Sequence, residues 1–305
     1  MRMDTPCPVA VLIPTFRRPE GLALALESLA AQTVADFPIV VADNDAEAAA
    51  GIAVARAWKS ERPGCEISWI SVPARGLSQN RNAGLSHAFA RYPVEAVAML
   101  DDDSHAEPEW LERLAEAVRG GEADLLGGPT LYTFPPATPG EIRGLEMFGV
   151  PYASSGPVPR LRSANNLAVR RRFFEARGPE LFHPDFARSG GEDTYLFRSA
   201  LARGERMEWV AGARVVEPVP EHRCAEAWIL SRHRTSAANS ARISRMLDGE
   251  LAAWRREVGS ALKEVGGGLL RFATNRRPRI VMRQRFAGAA GRIAGLTGAL
   301  PSCYG

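Results

Sequence analysis

Val97-Ala98-Met99-Leu100-Asp101-Asp102-Asp103 sets three carboxylates directly after an apolar run. The run reads as the end of a buried parallel strand, so the acids fall at its carboxyl end. Open α/β sheets bind ligands at that edge. Adjacent carboxylates repel one another unless a cation joins them. Hard divalent cations such as Mg2+ or Mn2+ prefer oxygen ligands and share them with a substrate's phosphates. The triplet therefore points to a strand-end metal site that holds a diphosphate. A solvated acidic turn before a helix, whose N-terminus favours negative charge, would use the same residues. The neighbouring segments decide between the two.

Upstream, strand and helix alternate. Val9 to Ile13 is a short apolar strand closed by Pro14, and Leu22, Ala25, Leu26 and Leu29 then follow helical spacing. Ile39 to Ala42 is a second strand that ends on Asp43. Ala46 to Lys59 reads as a helix and Ile67 to Val72 as a third strand. Ser78 suits the N-cap of a helix running to about Arg91, and Val94 to Leu100 is the fourth strand. Such βαβα order predicts an α/β fold with a mostly parallel sheet covered on both faces. Downstream the order changes. Glu109 to Val118 is a helix, Leu125-Leu126 a short strand, and the Pro- and Gly-rich stretch Thr133 to Arg162 a long loop region. Asn166 to Val169 reads as a strand, Glu192 to Ala202 as a helix, Trp209 to Val216 as a last strand, and Ala225 to Val258 as a long helical stretch.

The whole chain sets wider limits. Its 305 residues can bury one large core or two smaller ones. Hydrophobic residues at 46% and charged residues at 24% describe an ordinary globular protein, and a net charge of +3 is too small to indicate nucleic acid. Cys7, Cys65, Cys224 and Cys303 form neither a Cys-x-x-Cys nor a zinc spacing, which fits free thiols in a reducing cytosol. No signal-peptide pattern leads the chain and no apolar run reaches a membrane span.

Three further segments carry chemistry. Strand one ends in Ile13-Pro14-Thr15-Phe16-Arg17-Arg18 and strand two in Asp43-Asn44-Asp45, on the same edge as the triplet. An aromatic or proline wall beside a carboxylate suits a nucleobase, although Pro, Asn and Asp also favour turns. In Arg75-Gly76-Leu77-Ser78-Gln79-Asn80-Arg81-Asn82-Ala83-Gly84, Gly76 and Ser78 open a helix whose free N–H groups attract anions. Arg81 can point at a phosphate or back at the carboxylates, and Gly84 permits close approach of helix and sheet. A capped surface helix with a solvated Arg81 is the other reading. Gly190-Gly191-Glu192-Asp193-Thr194 sets an acidic pair at a helix start after two glycines. A carboxylate there can act as a base or simply cap the helix.

In this order and spacing, Pro14-Thr15-Phe16, Asp43, Gly76 through Gly84, Asp101-Asp102-Asp103, Asn165-Asn166 and Glu192-Asp193 resemble the family-2 glycosyltransferases. The resemblance runs from about Val9 to about Trp228 and implies the GT-A fold, a Rossmann-like mostly parallel sheet flanked by helices. Thr15-Phe16-Arg17-Arg18-Pro19 and Asp43-Asn44-Asp45-Ala46 are similar to bacterial exopolysaccharide glucosyltransferases of the succinoglycan type. The resemblance implies a nucleotide-sugar-binding half over residues 1–104, an acceptor-binding half over 105–224, and a helical, basic C-terminal region over 225–305. It implies a hexosyltransferase that moves a sugar, glucose first, from a UDP-sugar to a glycan acceptor on a lipid carrier. Pro14, Thr15 and Phe16 would border the uracil, with Asp43 holding the base. Gly76 and Arg81 would lie near the donor phosphates. Asp101 would face the ribose and Asp103 the Mg2+ or Mn2+ ion, with Asp102 able to replace either. Asp193 would be the catalytic base of an inverting single displacement, and Glu192 would orient the acceptor. Some members add a histidine to the metal, which His222 would match, although a surface histidine fits the same position.

Arg223-Cys224-Ala225-Glu226-Ala227-Trp228 stands where processive members carry Gln-x-x-Arg-Trp, so one sugar per encounter is expected. A nucleotidyltransferase would also use strand-end acids, but it needs a Gly-rich loop with an early Lys, and the only lysines are Lys59 and Lys263. A catalytically silent nucleotide-sugar-binding protein would keep Asp43 and Asp103 without needing Asp193. From Gly266 to Gly305 there are seven arginines and no acid, interleaved with Leu269-Leu270, Phe272, Ile280-Val281-Met282 and Phe286. Such a segment can lie on an anionic membrane. It can equally pack on the catalytic domain with its arginines solvated. The expected location is the cytoplasm, peripheral at the inner face of the plasma membrane in the first case. Nucleic acid is not an expected partner, since no aromatic-rich motif accompanies the charge.

Overall fold

The computed structural model describes residues 7–274 and 279–298, with residues 271–274 by backbone alone. In chain order the elements are β1 (Val9–Thr15), α1 (Pro19–Ala30), β2 (Ile39–Asp43), α2 (Ala50–Glu61), β3 (Ile67–Ser71), α3 (Leu77–Arg91), β4 (Ala96–Leu100), β5 (His105–Ala106) and α4 (Trp110–Gly120). Then come β6 (Leu125–Gly127), β7 (Thr130–Thr133), α5 (Gly140–Arg143), β8 (Gly156–Pro157), β9 (Asn166–Arg170), α6 (Arg171–Arg177) and α7 (Glu192–Ala202). The last are β10 (Met207–Trp209), β11 (Val215–Pro218), α8 (Glu226–Asp248), α9 (Glu250–Thr274) and α10 (Arg279–Thr297). Two compact units result. One comprises Met1–Tyr132, Val150–Ala187 and Leu196–Pro218, the other Thr133–Gly149, Arg188–Tyr195 and Val219–Gly305.

The first unit is built on an eight-stranded sheet ordered β3-β2-β1-β4-β9-β6-β10-β8. β1 to β4 are parallel, as are β6 and β10, while β9 runs antiparallel to both β4 and β6. β1 is buried along its whole length, and its side chains alternate between two apolar layers. Val9, Val11 and Ile13 pack with Leu22 and Leu26 of α1 and Leu111 and Leu114 of α4. Ala10 and Leu12 pack with Leu85 and Phe89 of α3 and Leu196 and Phe197 of α7. Continuous apolar strands are what a sheet covered on both faces requires. Gly84 works as its position in α3 suggests, since a Cβ there would collide with Leu12.

Pro14 does not close β1, which continues to Thr15. Pairing with β4 ends at Leu12–Met99, so the missing N–H of Pro14 removes no bond on that side. Ser78 is not the cap of α3. Gly76 takes that place at φ 136°, and the Ser78 hydroxyl, inside the first turn, donates to the His183 carbonyl at 3.0 Å. Trp209 to Val216 is two strands rather than one. Trp209 pairs with Gly127 in the large sheet and Val215 with Ala106 in a small β5-β11-β7 sheet, with a tight Val210–Ala213 turn between them. The Thr133 to Arg162 region contains α5, a 3-10 turn and β8.

The second unit holds α8, α9 and α10. The long helical stretch breaks at Gly249, whose φ of 82° leaves the helical region and is open to glycine at little cost. α8 and α10 pack backbone to backbone. A Cβ on Gly291 would collide with the Arg234 carbonyl, and one on Gly295 with the Ala238 carbonyl. Gly295→Ala should therefore destabilise the protein by about 1–3 kcal/mol through overpacking, outweighing the better helix propensity of alanine. Chemical denaturation measures it, and an unchanged or raised midpoint would refute the close contact. Arg292, one of the tail arginines, is part-buried between α9 and α10. It pairs with Glu257 at 2.5 Å and Glu264 at 3.1 Å, and Ser244 donates to Glu257 at 2.6 Å. Among the tail's apolar residues, Ile280 is buried and Val281 packs beside it against Ile142, Leu145 and Ile229. Arg276, Arg277 and Cys303 lie outside the described residues, as do the side chains of Arg271 and Phe272.

Candidate functional site

The three aspartates after β4 do not share one environment. Asp102 is the most buried, with 8% of its side chain exposed, against 24% for Asp101 and 26% for Asp103. Its Oδ2 accepts from the Thr15 hydroxyl at 2.8 Å and from the Phe16 N–H at 3.4 Å. Asp102 thus fastens the end of β1 to the end of β4. The close approach is completed by Gly21 in α1, where a Cβ would collide with the Asp102 carbonyl. Arg18 Nη1 donates to Asp102 Oδ1 at 3.2 Å and to Asp103 Oδ2 at 2.6 Å. Arg81, 3% exposed, gives Nη2 to both oxygens of Asp101 at 3.0 and 3.1 Å. Two guanidinium groups therefore balance the carboxylates, and each of the outer two keeps about a quarter of its side chain exposed.

Burial pushes the Asp102 carboxyl up to about 6, against the opposing pull of Arg18 and the Thr15 hydrogen bond. A carboxyl raised in the folded state binds its proton more tightly there than in the unfolded chain, where the value is about 3.9. Its contribution is fully present below that unfolded value and is lost as pH rises through about 6. Stability should fall by at most about 3 kcal/mol across this window on account of Asp102. Asp102→Asn should remove that part of the slope. Urea midpoints from pH 4 to pH 7 measure it, and coincident slopes for the two proteins would sink the assignment.

The nucleobase side is made by strand ends and turns. Phe16 is half-buried, and its ring carries Arg75 at 4.1 Å and Arg17 at 5.1 Å. Arg17, at φ 54°, holds Asp45 through Nε at 2.8 Å, and this bond pulls the Asp45 carboxyl below the ordinary range. A left-handed non-glycine residue is a strained position of the kind that gathers at functional sites. Asp43 is 1% exposed, and its two oxygens accept from the Asp45 N–H at 2.9 Å and the Ile52 N–H at 3.1 Å. Gly51 makes this possible, since a Cβ there would lie 2.9 Å from Asp43 Oδ2 and 2.6 Å from Thr15 Cγ2. Asn44 ties the segment to the start of α3. It donates to the Val72 and Ala74 carbonyls and accepts from the Gly76 N–H, each at 2.8 Å.

In the second unit, Gly190 and Gly191 are both left-handed, at φ 74° and 96°. Asn239 of α8 donates to the Ser189 and Gly190 carbonyls at 2.9 and 2.7 Å and fixes the turn. The turn opens α7 with Glu192 and Asp193. Glu192 is buried at 4% exposure, while Asp193 is half-buried. Thr194 gives its N–H at 2.6 Å and its hydroxyl at 3.2 Å to Asp193 Oδ1. His222 is exposed on a 3-10 turn, Glu221–Cys224, of the same unit. Among the described residues no three His, Cys, Asp or Glu side chains converge on a metal position. The roles of Arg18, Asn44, Arg75 and Asn239 escaped sequence reasoning. Arg18, Asn44 and Arg75 lie inside segments that the sequence marks, whereas Asn239 has no local signal.

The family model described as Glycosyl transferase family 2 matches residues 10–173. The succinoglycan biosynthesis protein ExoM of Rhizobium meliloti (strain 1021) is 32% identical over 293 residues, spanning 93% of this chain and 91% of that protein. Among solved structures, the mannosyltransferase PcManGT of Pyrobaculum calidifontis, in complex with GDP-Man and Mn2+, superposes with a TM-score of 0.56 at 17% identity. It covers 97% of this chain and 89% of the other. GalNAc-T7 with UDP, GalNAc and Mn2+ gives 0.58 at 16% identity, covering 80% of this chain and 48% of the other. At such identity the two structures speak for the GT-A fold alone. The family match covers more than half of the chain, and the site-bearing ends of β1, β2 and β4 fall within it. The chain belongs to glycosyl transferase family 2 and is a glycosyltransferase of the GT-A fold.

Proposed function

We propose that this enzyme transfers a hexose, glucose first, from a UDP-sugar to a hydroxyl of a lipid-linked glycan, with inversion and one sugar per encounter, in exopolysaccharide assembly in the cytoplasm. The observation that carries the reading is the pairing of Asp101 and Asp103 as part-exposed carboxylates on either side of a buried Asp102, beside Thr15 and Phe16. The relative named for succinoglycan biosynthesis supports the exopolysaccharide setting. Phe16 offers an aromatic wall to the uracil, with Pro14 and Thr15 behind it. Asp43 serves the base once the 44–49 turn yields one of its two backbone bonds. Asp101 takes the ribose side. Gly76 and Arg81 lie on the phosphate side.

The donor set fits a hard divalent cation, Mg2+ or Mn2+. Its oxygens are carboxylates, and such ions commonly use only one or two protein ligands and leave the rest to phosphates and water. Asp103 would hold the ion once Arg18 releases it, with His222 as a further candidate ligand. Bound there, the metal would offset the charge that grows on the departing diphosphate. Arg18, freed from Asp103, keeps a positive charge at the same edge for the diphosphate. Asp193 takes the proton of the acceptor hydroxyl, and the oxygen attacks the anomeric carbon opposite the leaving UDP. Glu192 orients the acceptor. An α-linked donor then gives a β-glycoside.

The test is UDP release from a panel of UDP-sugars with Mn2+, Mg2+ or EDTA, with and without membrane lipid extract. Metal-dependent release from one sugar, stimulated by the lipid, is the expected result. No release from any UDP-sugar by folded enzyme would overturn the donor assignment and direct the panel to GDP-sugars.

A further inference from the structure

We infer that one face of α9 is a docking surface for an anionic lipid bilayer. Leu251, Trp254, Leu262 and Leu269 are exposed by 66%, 40%, 67% and 57%, and Leu270 beside them by 66%. At about 100° per residue, Leu251, Leu262 and Leu269 fall within about 20° of one another around the helix, with Trp254 on the flank, while Val258 between them is half-buried and packs toward Ala241, Ala253 and Leu296. The stripe runs about 27 Å along the axis at 1.5 Å per residue. The inward positions Ala253, Glu257, Ala261 and Gly268 occupy another face and pack within the three-helix unit. Phe286 of α10 extends the apolar surface at its far end, since a Cβ on Gly268 would lie 3.1 Å from its ring. This surface takes only Leu269, Leu270 and Phe286 from the segment that the basic tail marks, since Ile280 of the tail is buried and Arg292 is engaged by Glu257 and Glu264.

Charge names the occupant. The exposed cations near the stripe are Arg255 and Lys263, with Arg285 next to Gly267 at the Phe286 end. Of the three acids of α9, Glu250 in the first turn pairs with Arg245, Glu257 and Glu264 pair with the part-buried Arg292, and α10 contains no acid. An apolar stripe with a cationic border fits the headgroup and acyl boundary of an anionic membrane. A second copy of this chain docked by two-fold symmetry would set like charges against like, and the exposed acid of α9, Glu250, is already held by Arg245.

The inference does not rest on the donor assignment, and its test needs no turnover. The full chain is floated with vesicles of phosphatidylcholine alone and with an equimolar mixture of phosphatidylcholine and phosphatidylglycerol. Binding to the mixed vesicles only, weakened by salt, is expected. Leu262→Asp/Leu269→Asp should lower the bound fraction by about tenfold or more while leaving the circular dichroism spectrum and the melting midpoint unchanged. Should that variant fail to fold, Arg255→Glu/Lys263→Glu should show the same loss on mixed vesicles. Wild-type protein that stays with the soluble fraction at low salt would overturn the inference. So would a wild-type dimer, seen by light scattering, that the leucine substitutions dissociate.

Discussion

Asp193→Asn should leave UDP binding intact and lower sugar transfer by about 10²–10⁴-fold, the range that a positioned general base contributes. The substitution is well matched to the question. Asp193 Oδ1 already receives both the N–H and the hydroxyl of Thr194. An asparagine oxygen can accept the same two bonds, so the start of α7 should form as before. What changes is the second carboxylate oxygen, replaced by an amide that cannot take a proton. The lost negative charge at the helix N-terminus costs only about 0.3–1 kcal/mol of stability. Single-turnover transfer, UDP titration and a melting curve on the same preparation separate the outcomes. Transfer at the wild-type rate would remove Asp193 from the base role. Loss of both UDP binding and folding would make the residue structural. Glu192→Gln is the comparison, because Glu192 is buried where Asp193 is half-exposed. A larger loss from Glu192→Gln than from Asp193→Asn would exchange the two roles.

The architecture around β1 was open to reading because its signals are local. Apolar runs of the right length, broken by turn residues, place four parallel strands within a residue or two of where they lie, and Gly84 announces its contact by having no side chain. The same reasoning misjudged Trp209 to Val216. Both halves have strand composition, and only pairing with different partners, Gly127 and Ala106, separates them. Gly249 ends α8 by its backbone angle, which a helical pattern on both sides conceals. In the Asp triplet, neighbouring side chains had to point in different directions, but the sequence does not say which of them meets Thr15. That depends on how far β1 runs past the end of its pairing with β4, and Pro14 argued for the shorter strand. Arg18 was visible but unassigned, because its contacts with Asp102 and Asp103 span more than eighty residues of chain.

Asp101→Ala should cost about 3–5 kcal/mol, the range for breaking a buried ion pair by removing one partner. Arg81→Met should cost clearly less. The asymmetry follows from which partner can give up its charge. Burial already pushes the Asp101 carboxyl up, and the Arg81 charge is what holds it down. Without Arg81 the acid can take a proton, and a quarter of its side chain meets solvent. Arg81 has no such escape, because a guanidinium stays protonated at any pH the protein survives, and only 3% of it is exposed. Its remaining partners would include the Phe182 ring at 5.5 Å, a weak substitute for a carboxylate. The double variant Asp101→Ala/Arg81→Met should therefore be more stable than Asp101→Ala alone, since it removes a buried guanidinium that has lost its two Asp101 bonds and supplies apolar volume. Urea denaturation of the four proteins gives the coupling directly. If Asp101→Ala and Arg81→Met prove equally mild and their effects add, the pair is not what positions Arg81. The guanidinium would then be held by its helix, free to serve a donor phosphate without giving up Asp101.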